Sequence, residues 1–409
     1  MKIAIAHQPN IGPRDRLQLS AEVLGTTAEL YAIESEWNEL HRRNTCNSVF
    51  LTFDWLSHWW AHFSQHRRLA VITVRNRGIL VGIAPLCISR QGALKLRRLG
   101  FLGDTLVGSD HLDFLVDTSY KAEVLQCLGK CIAELRSDWD YIQLADLAVE
   151  SNAASELREV MNVRGVTINT VCSSSCPYTR LPGSIDGYWA ALRPRFRKNL
   201  RYYARTLQRQ GKLALVKVES PNQIERAFDD LIHLHEARSA ASNRVSVFVA
   251  PRVRTFQREA ALSLAARGWV RVYFLELDGR RIAALYGFSN RRTFSYYQSG
   301  ADPAYSRSSA GSVLISFVMQ DVIEDGHSEF DFLRGDESYK QLWATGARQL
   351  TTMNCFDQRA ASRVAQAEQF LKRSLHECKA VILNTLNGQS ATRDSEPGPP
   401  QPNATHTVI

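Results

Sequence analysis

Tyr296-Tyr297-Gln298-Ser299-Gly300-Ala301-Asp302-Pro303-Ala304-Tyr305-Ser306-Arg307-Ser308-Ser309-Ala310-Gly311-Ser312 is the stretch that decides the fold. On its N-terminal side three β-rich runs follow one another. Trp269 to Leu277 turns at Asp278-Gly279 into Arg281 to Phe288, which turns at Ser289-Asn290 into Thr293 to Gln298. On its C-terminal side Val313 to Ile323 reads as an apolar helix. A meander that feeds through small residues into a helix aims free backbone N–H groups at the mouth of a sheet. Those groups and the positive end of the helix dipole favour an anion, and side chains no larger than Ser, Ala and Gly let a pyrophosphate come close. The same turn also suits a helix capped by Ser308 or Ser309 with no ligand at all.

Farther along, the spacing predicts a strand over Ser328 to Leu333, a short helix over Glu337 to Trp343 and a last strand over Gln349 to Phe356. Before the meander lie a strand near Leu213 to Val218 and helices over Pro221 to Ala241 and Pro251 to Ala266, each opened by proline. The first half repeats this plan in weaker signals. Strands are expected over Leu17 to Leu24, Leu69 to Val74, Ile79 to Ile88, His111 to Val116, Tyr141 to Leu144 and Val166 to Val171. Helices are expected over Ala28 to Arg43, Phe53 to Phe63, Ser119 to Leu135 and Ala153 to Asn162. The pattern predicts an α/β (α+β) protein with mixed, largely antiparallel sheets flanked by helices. At 409 residues two cores are expected. They divide as an N-terminal arm over 1–16, a first domain over 17–180, a second over 181–358, a C-terminal helix over 359–386 and a disordered tail over 387–409.

The composition, 44% hydrophobic and 22% charged, excludes a disordered or fibrous chain. Eight cysteines in a chain of this length do not make a disulfide framework, and neither Cys127/Cys131 nor Cys172/Cys176 has metal-ligand spacing. His233 and His235 stand two apart on a helix and so point to different faces, which also argues against a metal. No apolar run reaches the roughly 20 residues of a membrane span, and the opening residues lack the apolar stretch of a secretory signal. The expected location is the cytoplasm, with peripheral contact at the inner face of the membrane as an option.

The formal net charge is +9, and its distribution is uneven. Arg193, Arg195, Arg197, Lys198, Arg201, Arg205, Arg209 and Lys212 lie within twenty residues that contain no acid. At helical period Phe196, Leu200, Tyr203 and Leu207 form an apolar stripe while Arg197, Arg201, Arg205 and Arg209 stack on another face. Four stacked arginines without glutamates repel one another, so an anionic partner is expected at this basic amphipathic helix, the alternative being a solvated face.

The order of elements, with Arg307 opening an Arg-x-x-Ala-Gly-Ser turn, resembles the GNAT acyltransferase fold. Its pyrophosphate loop runs Arg or Gln, two residues, Gly, one residue, then Gly or Ala; here Ala310 and Ser312 stand at the small positions and the glycine is shifted to Gly311. The phrases Tyr286 to Phe288, Tyr296 to Gly300, Asp302-Pro303 with Tyr305, and Glu329 to Lys340, together with Trp343, resemble the CelD/BcsL type. That type is named for a cellulose-biosynthesis acetyltransferase and is related to FemAB peptidyltransferases through a duplicated GNAT core. The resemblance spans about Leu17 to Phe356 and implies tandem GNAT-like domains. It implies one acyl-CoA site, in the second copy, formed by Arg307, Ser308, Ser309, Ala310, Gly311 and Ser312.

The implied chemistry is transfer from acetyl-CoA or another acyl-CoA, without a metal, to the amine or hydroxyl of a sugar, polysaccharide precursor or cell-envelope intermediate. The acceptor loses a proton and the departing thiolate gains one. GNAT enzymes often place a donor tyrosine after the strand that follows the pyrophosphate helix, the place of Tyr339. Asp336 and Glu337, at the exit of that strand, are the preferred bases over Glu329 and Asp331, which a mid-strand ion pair would occupy. Gln298, Lys340, His235, Arg238, Arg197 and Arg201 are the candidate substrate contacts. Two other readings stand beside this one. A FemAB-like enzyme would use aminoacyl-tRNA held by the arginine helix, the one reading in which nucleic acid is a partner. A non-catalytic scaffold would dock its basic helix on a membrane or partner.

Overall fold

The structure is a computed structural model that describes residues 2–3, 17–44, 48–104, 107–148, 150–163, 165–335 and 337–371. The described residues up to Asp357 form one compact unit, and those from Gln358 onward form another. In the latter a helix runs over 360–371; the remainder of the helix expected to 386 and the tail expected over 387–409 lie outside the described residues, as does residue 1 and the arm over 4–16.

The strands are β1 (Lys2–Ile3), β2 (Leu19–Leu24), β3 (Arg67–Leu69), β4 (Val71–Asn76), β5 (Ile79–Ala84), β6 (Leu86–Gln91), β7 (Leu96–Phe101), β8 (Leu115–Val116), β9 (Tyr141–Ala148), β10 (Thr167–Arg180), β11 (Leu213–Val218), β12 (Val270–Leu277), β13 (Arg280–Asn290), β14 (Thr293–Ala301), β15 (Glu329–Asp331) and β16 (Gly346–Phe356). The helices are α1 (Thr27–Ala32), α2 (Glu34–Arg43), α3 (Phe53–Phe63), α4 (Lys121–Glu134), α5 (Asn152–Val163), α6 (Ile185–Ala191), α7 (Pro194–Gln208), α8 (Pro221–Ala241), α9 (Pro251–Ala266), α10 (Ala310–Glu324) and α11 (Ser338–Gln341). The fold is mixed α/β with large, mostly antiparallel sheets. One sheet has the order β1-β2-β4-β5-β8, the other β11-β12-β13-β14-β15-β10-β16-β9-β7-β6-β3. The boundary expected at 180 falls at the end of β10, in the middle of the larger sheet. β10 pairs with β15 and β16, and β16 pairs in turn with β9, so hydrogen bonding runs unbroken from the second half into the first.

The meander β12–β13–β14 is buried on both faces, which is why its strands read as nearly continuous apolar runs. Val272, Phe274, Tyr286, Phe288 and Tyr297 join a core shared with α3, α8 and α9. Tyr273, Leu275, Leu285, Phe294 and Tyr296 face a second core with Tyr188 of α6, Leu200 and Leu207 of α7 and the apolar side of α10.

Several expected elements differ. The helix over Ala28 to Arg43 breaks at Ile33 into α1 and α2, α1 starting in a capping box between Thr26 and Glu29. The run from Ile79 to Ile88 is cut at Pro85, whose missing N–H cannot enter a ladder, and its halves join different sheets. The strand over His111 to Val116 shrinks to β8: His111 takes a positive φ of 54°, and Phe114 N–H donates to the Asp113 carboxylate instead of to a neighbouring strand. Strand β7 was hidden by Arg97 and Arg98, which pair with Asp140 and with the fully buried Asp104.

Candidate functional site

The wedge that makes room for a site comes from β14 and β15. They pair in parallel only over Thr293–Ser295 and Glu329–Asp331, after which Phe332 N–H donates to Pro177 O of β10 while β14 runs on to Ala301 paired with β13 alone. β14 also carries a bulge: Gly287 faces Tyr296 but Tyr286 faces Gln298, leaving Tyr297 as the extra residue. The bulge reverses the phase of alternation. Tyr297 turns into the core, where Gln257 Nε2 donates to its Oη at 2.6 Å. Gln298 turns toward His235 of α8, and Tyr296 and Ser299 are left side by side on the open face.

That face lines a cleft of about 390 Å³ bounded by Arg238, Ala241 and Ser242 from α8, Tyr296 to Ala301 in part, Pro303, Tyr305, Ser306, Tyr339 and the start of α10. Its polar centre is a connected group. Tyr296 and Tyr339 Oη atoms stand 3.1 Å apart. Tyr296 Oη also bonds Ser299 Oγ, and Arg238 Nη1 donates to Ser299 Oγ at 2.6 Å. The Arg238 guanidinium lies 5.7 Å from the centre of the Tyr339 ring. Burial, reinforced by the neighbouring Tyr296 phenol, drives the Tyr339 hydroxyl well above its usual pKa, so it holds its proton. Burial by itself would lower Arg238, but Tyr296 and Tyr339 outweigh that and raise it.

At the mouth, Ser309 adopts a left-handed conformation (φ 45°, ψ 46°) and starts α10 without a side-chain cap. The first N–H groups of the helix, from Ala310, Gly311 and Ser312, therefore stand in the wall of the cleft. A Cβ built on Gly311 meets nothing within 4 Å, so there is open space before it.

Of the candidate residues the cleft gathers Arg238, Ser309, Ala310, Gly311, Ser312 and Tyr339. Arg307 is exposed and Ser308 buried, and neither lines the cleft. Lys340 is buried, donating to Arg334 O at 2.6 Å and pairing with Glu337 at 3.1 Å. Those contacts fix the turn into α11. Asp336 lies outside the described residues. Glu329 is held by Arg348, while Asp331 lies 3.3 Å from His111. His235 accepts or donates at Ser246 Oγ, 2.9 Å away, and burial lowers its pKa to about 4, so it is a neutral packing group. Arg197 donates to Trp189 O and Arg201 lies over the Trp189 ring, both on α7 and outside the cleft. Tyr296 and Ser299 were not singled out from the sequence. Tyr296 lies in the quoted Tyr-Tyr-Gln-Ser-Gly phrase, but strict alternation favours Gln298 as its companion, and only the bulge replaces Gln298 by Ser299.

Among the described residues no group of three His, Cys, Asp or Glu side chains could hold a metal ion, and no helix is long and apolar enough to cross a membrane.

Comparison with known proteins bears on the fold. Residues 194–341 match the family described as acetyltransferase (GNAT) domain. No curated protein sequence matches the chain. Similar solved structures include FemX, 11% identical at a TM-score of 0.58 over 81% of this chain and 96% of that one. Another is a conserved protein of unknown function from Bacteroides thetaiotaomicron, 12% identical at 0.52 over 82% and 99%. A tandem GNAT protein from the clavulanic acid biosynthesis pathway is 11% identical at 0.41 over 81% and 98%. Residues 194–341 are thus similar to a GNAT-fold, acetyltransferase-like domain.

Proposed function

We propose that the protein is an acyl-CoA-dependent N- or O-acyltransferase of the CelD/BcsL type, transferring acetyl to a sugar, polysaccharide precursor or cell-envelope intermediate. One observation carries this reading: the uncapped start of α10 and the protonated Tyr339 open onto the same cleft. GNAT domains in general bind acyl-CoA. The N–H groups of Ala310, Gly311 and Ser312 would receive the donor's pyrophosphate, helped by the positive end of α10. The edge of β14 left open beyond β15 would then lie alongside the rest of the donor. Tyr339 keeps its proton at Oη for the departing sulfur, and Tyr296 fixes the direction of that hydroxyl. Glu337, engaged by Lys340, acts on the turn rather than on the acceptor.

A second reading takes aminoacyl-tRNA as the donor. The basic surface of α7 favours it, since polyanions bind such stripes.

The test is Gly311→Asp. Space is open at this position and an acid suits a helix's first turn, so the variant should fold, while its carboxylate repels pyrophosphate. Calorimetry should show CoA binding in the wild type and none in the variant. Unchanged CoA affinity in the folded variant removes this site, and retention of tRNA instead of CoA on purification selects the second reading.

A further inference from the structure

Helices α8 and α7 both pack against the turn Pro303–Ser308 at the cleft mouth, and each leads to an exposed surface. On one side the chain leaving α8 runs through Asn243-Arg244-Val245-Ser246-Val247-Phe248-Val249. Its residues alternate. Ser246 is bound by His235 and accepts from Phe248 N–H at 3.1 Å, and Phe248 is fully buried edge-on to His235 and Phe228. Val245, Val247 and Val249 are thereby held outward, 82%, 44% and 61% exposed. On the other side α7 packs against the same turn and against α10. Its buried residues, Leu200 and Leu207, face inward. Its outer side presents Arg197, Lys198, Arg201, Arg205 and Arg209 around the exposed Tyr202. Among the described residues none of these cations forms an ion pair with an acid.

A stripe of cations needs an anionic counterpart, and three aliphatic side chains fixed in water need an apolar one. A nucleic-acid backbone satisfies the first and leaves the valines wet. An anionic bilayer satisfies both, with headgroup phosphates on α7 and the valine loop in the interface. We propose that the α7 stripe and the Val245–Val249 loop together dock the protein on an anionic membrane, with the cleft mouth turned toward the headgroups. This docking fits the acyl-CoA reading and competes with the reading in which the same face of α7 holds aminoacyl-tRNA.

The full chain should sediment with vesicles of phosphatidylcholine containing phosphatidylglycerol and stay in solution with phosphatidylcholine alone. Joint replacement of Arg197, Arg201 and Arg205 by Gln should weaken partitioning by about a hundredfold, each charge being worth about fivefold. Joint replacement of Val245, Val247 and Val249 by Ser leaves the charge unchanged and removes no core contact, yet should also weaken partitioning and abolish penetration of a phosphatidylglycerol monolayer. The melting temperatures of both variants check that they fold. The proposal is overturned if the wild type binds neither vesicle, if the valine variant binds like the wild type, or if a single-stranded RNA oligomer binds more tightly than the anionic vesicles.

Discussion

Tyr296 on β14 and Tyr339 on α11 meet through their hydroxyls at 3.1 Å, although β14 and β15, the strand that leads toward α11, have already parted. Tyr339 is thus held by a contact across the opening. Tyr339→Phe should lower turnover by about 10²- to 10⁴-fold with CoA affinity nearly unchanged, measured by steady-state kinetics beside calorimetry. Wild-type turnover would reduce Tyr339 to a packing residue.

Gly300 marks where β14 lies closest to α8. A Cβ there would fall 2.2 Å from His235 N and 2.3 Å from Leu234 C, backbone atoms that cannot step aside. Gly300→Ala should cost at least about 2 kcal/mol in urea unfolding and push α8, with Arg238, away from the cleft. A stability loss without weakened ligand binding would mean that the cleft tolerates this displacement.

His235 gives a pH dependence of known sign. Its folded pKa is lowered to about 4, first by burial and then by Arg238, so the unfolded chain takes up a proton that the folded one refuses. The stability it supports is complete above about 6.5 and is lost as pH falls toward about 4. His235→Gln should flatten the stability curve across that window, followed by denaturant midpoints at several pH values.

Arg334 joins the exit of β15 to the first half of the chain. Its N–H and guanidinium bind Asp110, and Nη2 donates to Ser109 O at 2.8 Å and Asp146 at 2.9 Å. Burial pushes Asp146 up to about 6 in spite of Arg334. Arg334→Met would leave two buried carboxylates without their cation and should cost about 3 kcal/mol. A raised carboxyl is easiest to keep when protonated, so the deficit should be larger near about pH 7 than near about pH 5. A deficit independent of pH would point to lost packing instead.

The second half was the more legible in sequence, for physical reasons. Helices α8 and α9 begin at proline and run to the expected ends, Pro221–Ala241 and Pro251–Ala266. The meander was visible because burial on both faces leaves few polar interruptions. What stayed hidden depends on partners far along the chain. The polar run Cys172-Ser173-Ser174-Ser175 is strand because β16 pairs with it, and β7 is strand in spite of two arginines because Asp140 and Asp104 neutralise them. In the cleft, the turn before α10 could be named from its small residues and Tyr339 from the resemblance to GNAT enzymes, whereas Ser299 and the change of phase at Tyr297 are a matter of register.

The placement of β16 between β9 and β10 bears on how the molecule is made. During synthesis the first half emerges with one side of β9 unpaired, and its partner lies near the far end of the sheet-forming chain. Until β16 is delivered, that edge is an open template for other chains, so a nascent or truncated form is prone to association. Pairing across so long a loop is slow. A stop codon before Gly346 should therefore yield aggregated protein in the cell, even though it removes nothing from the wall of the cleft.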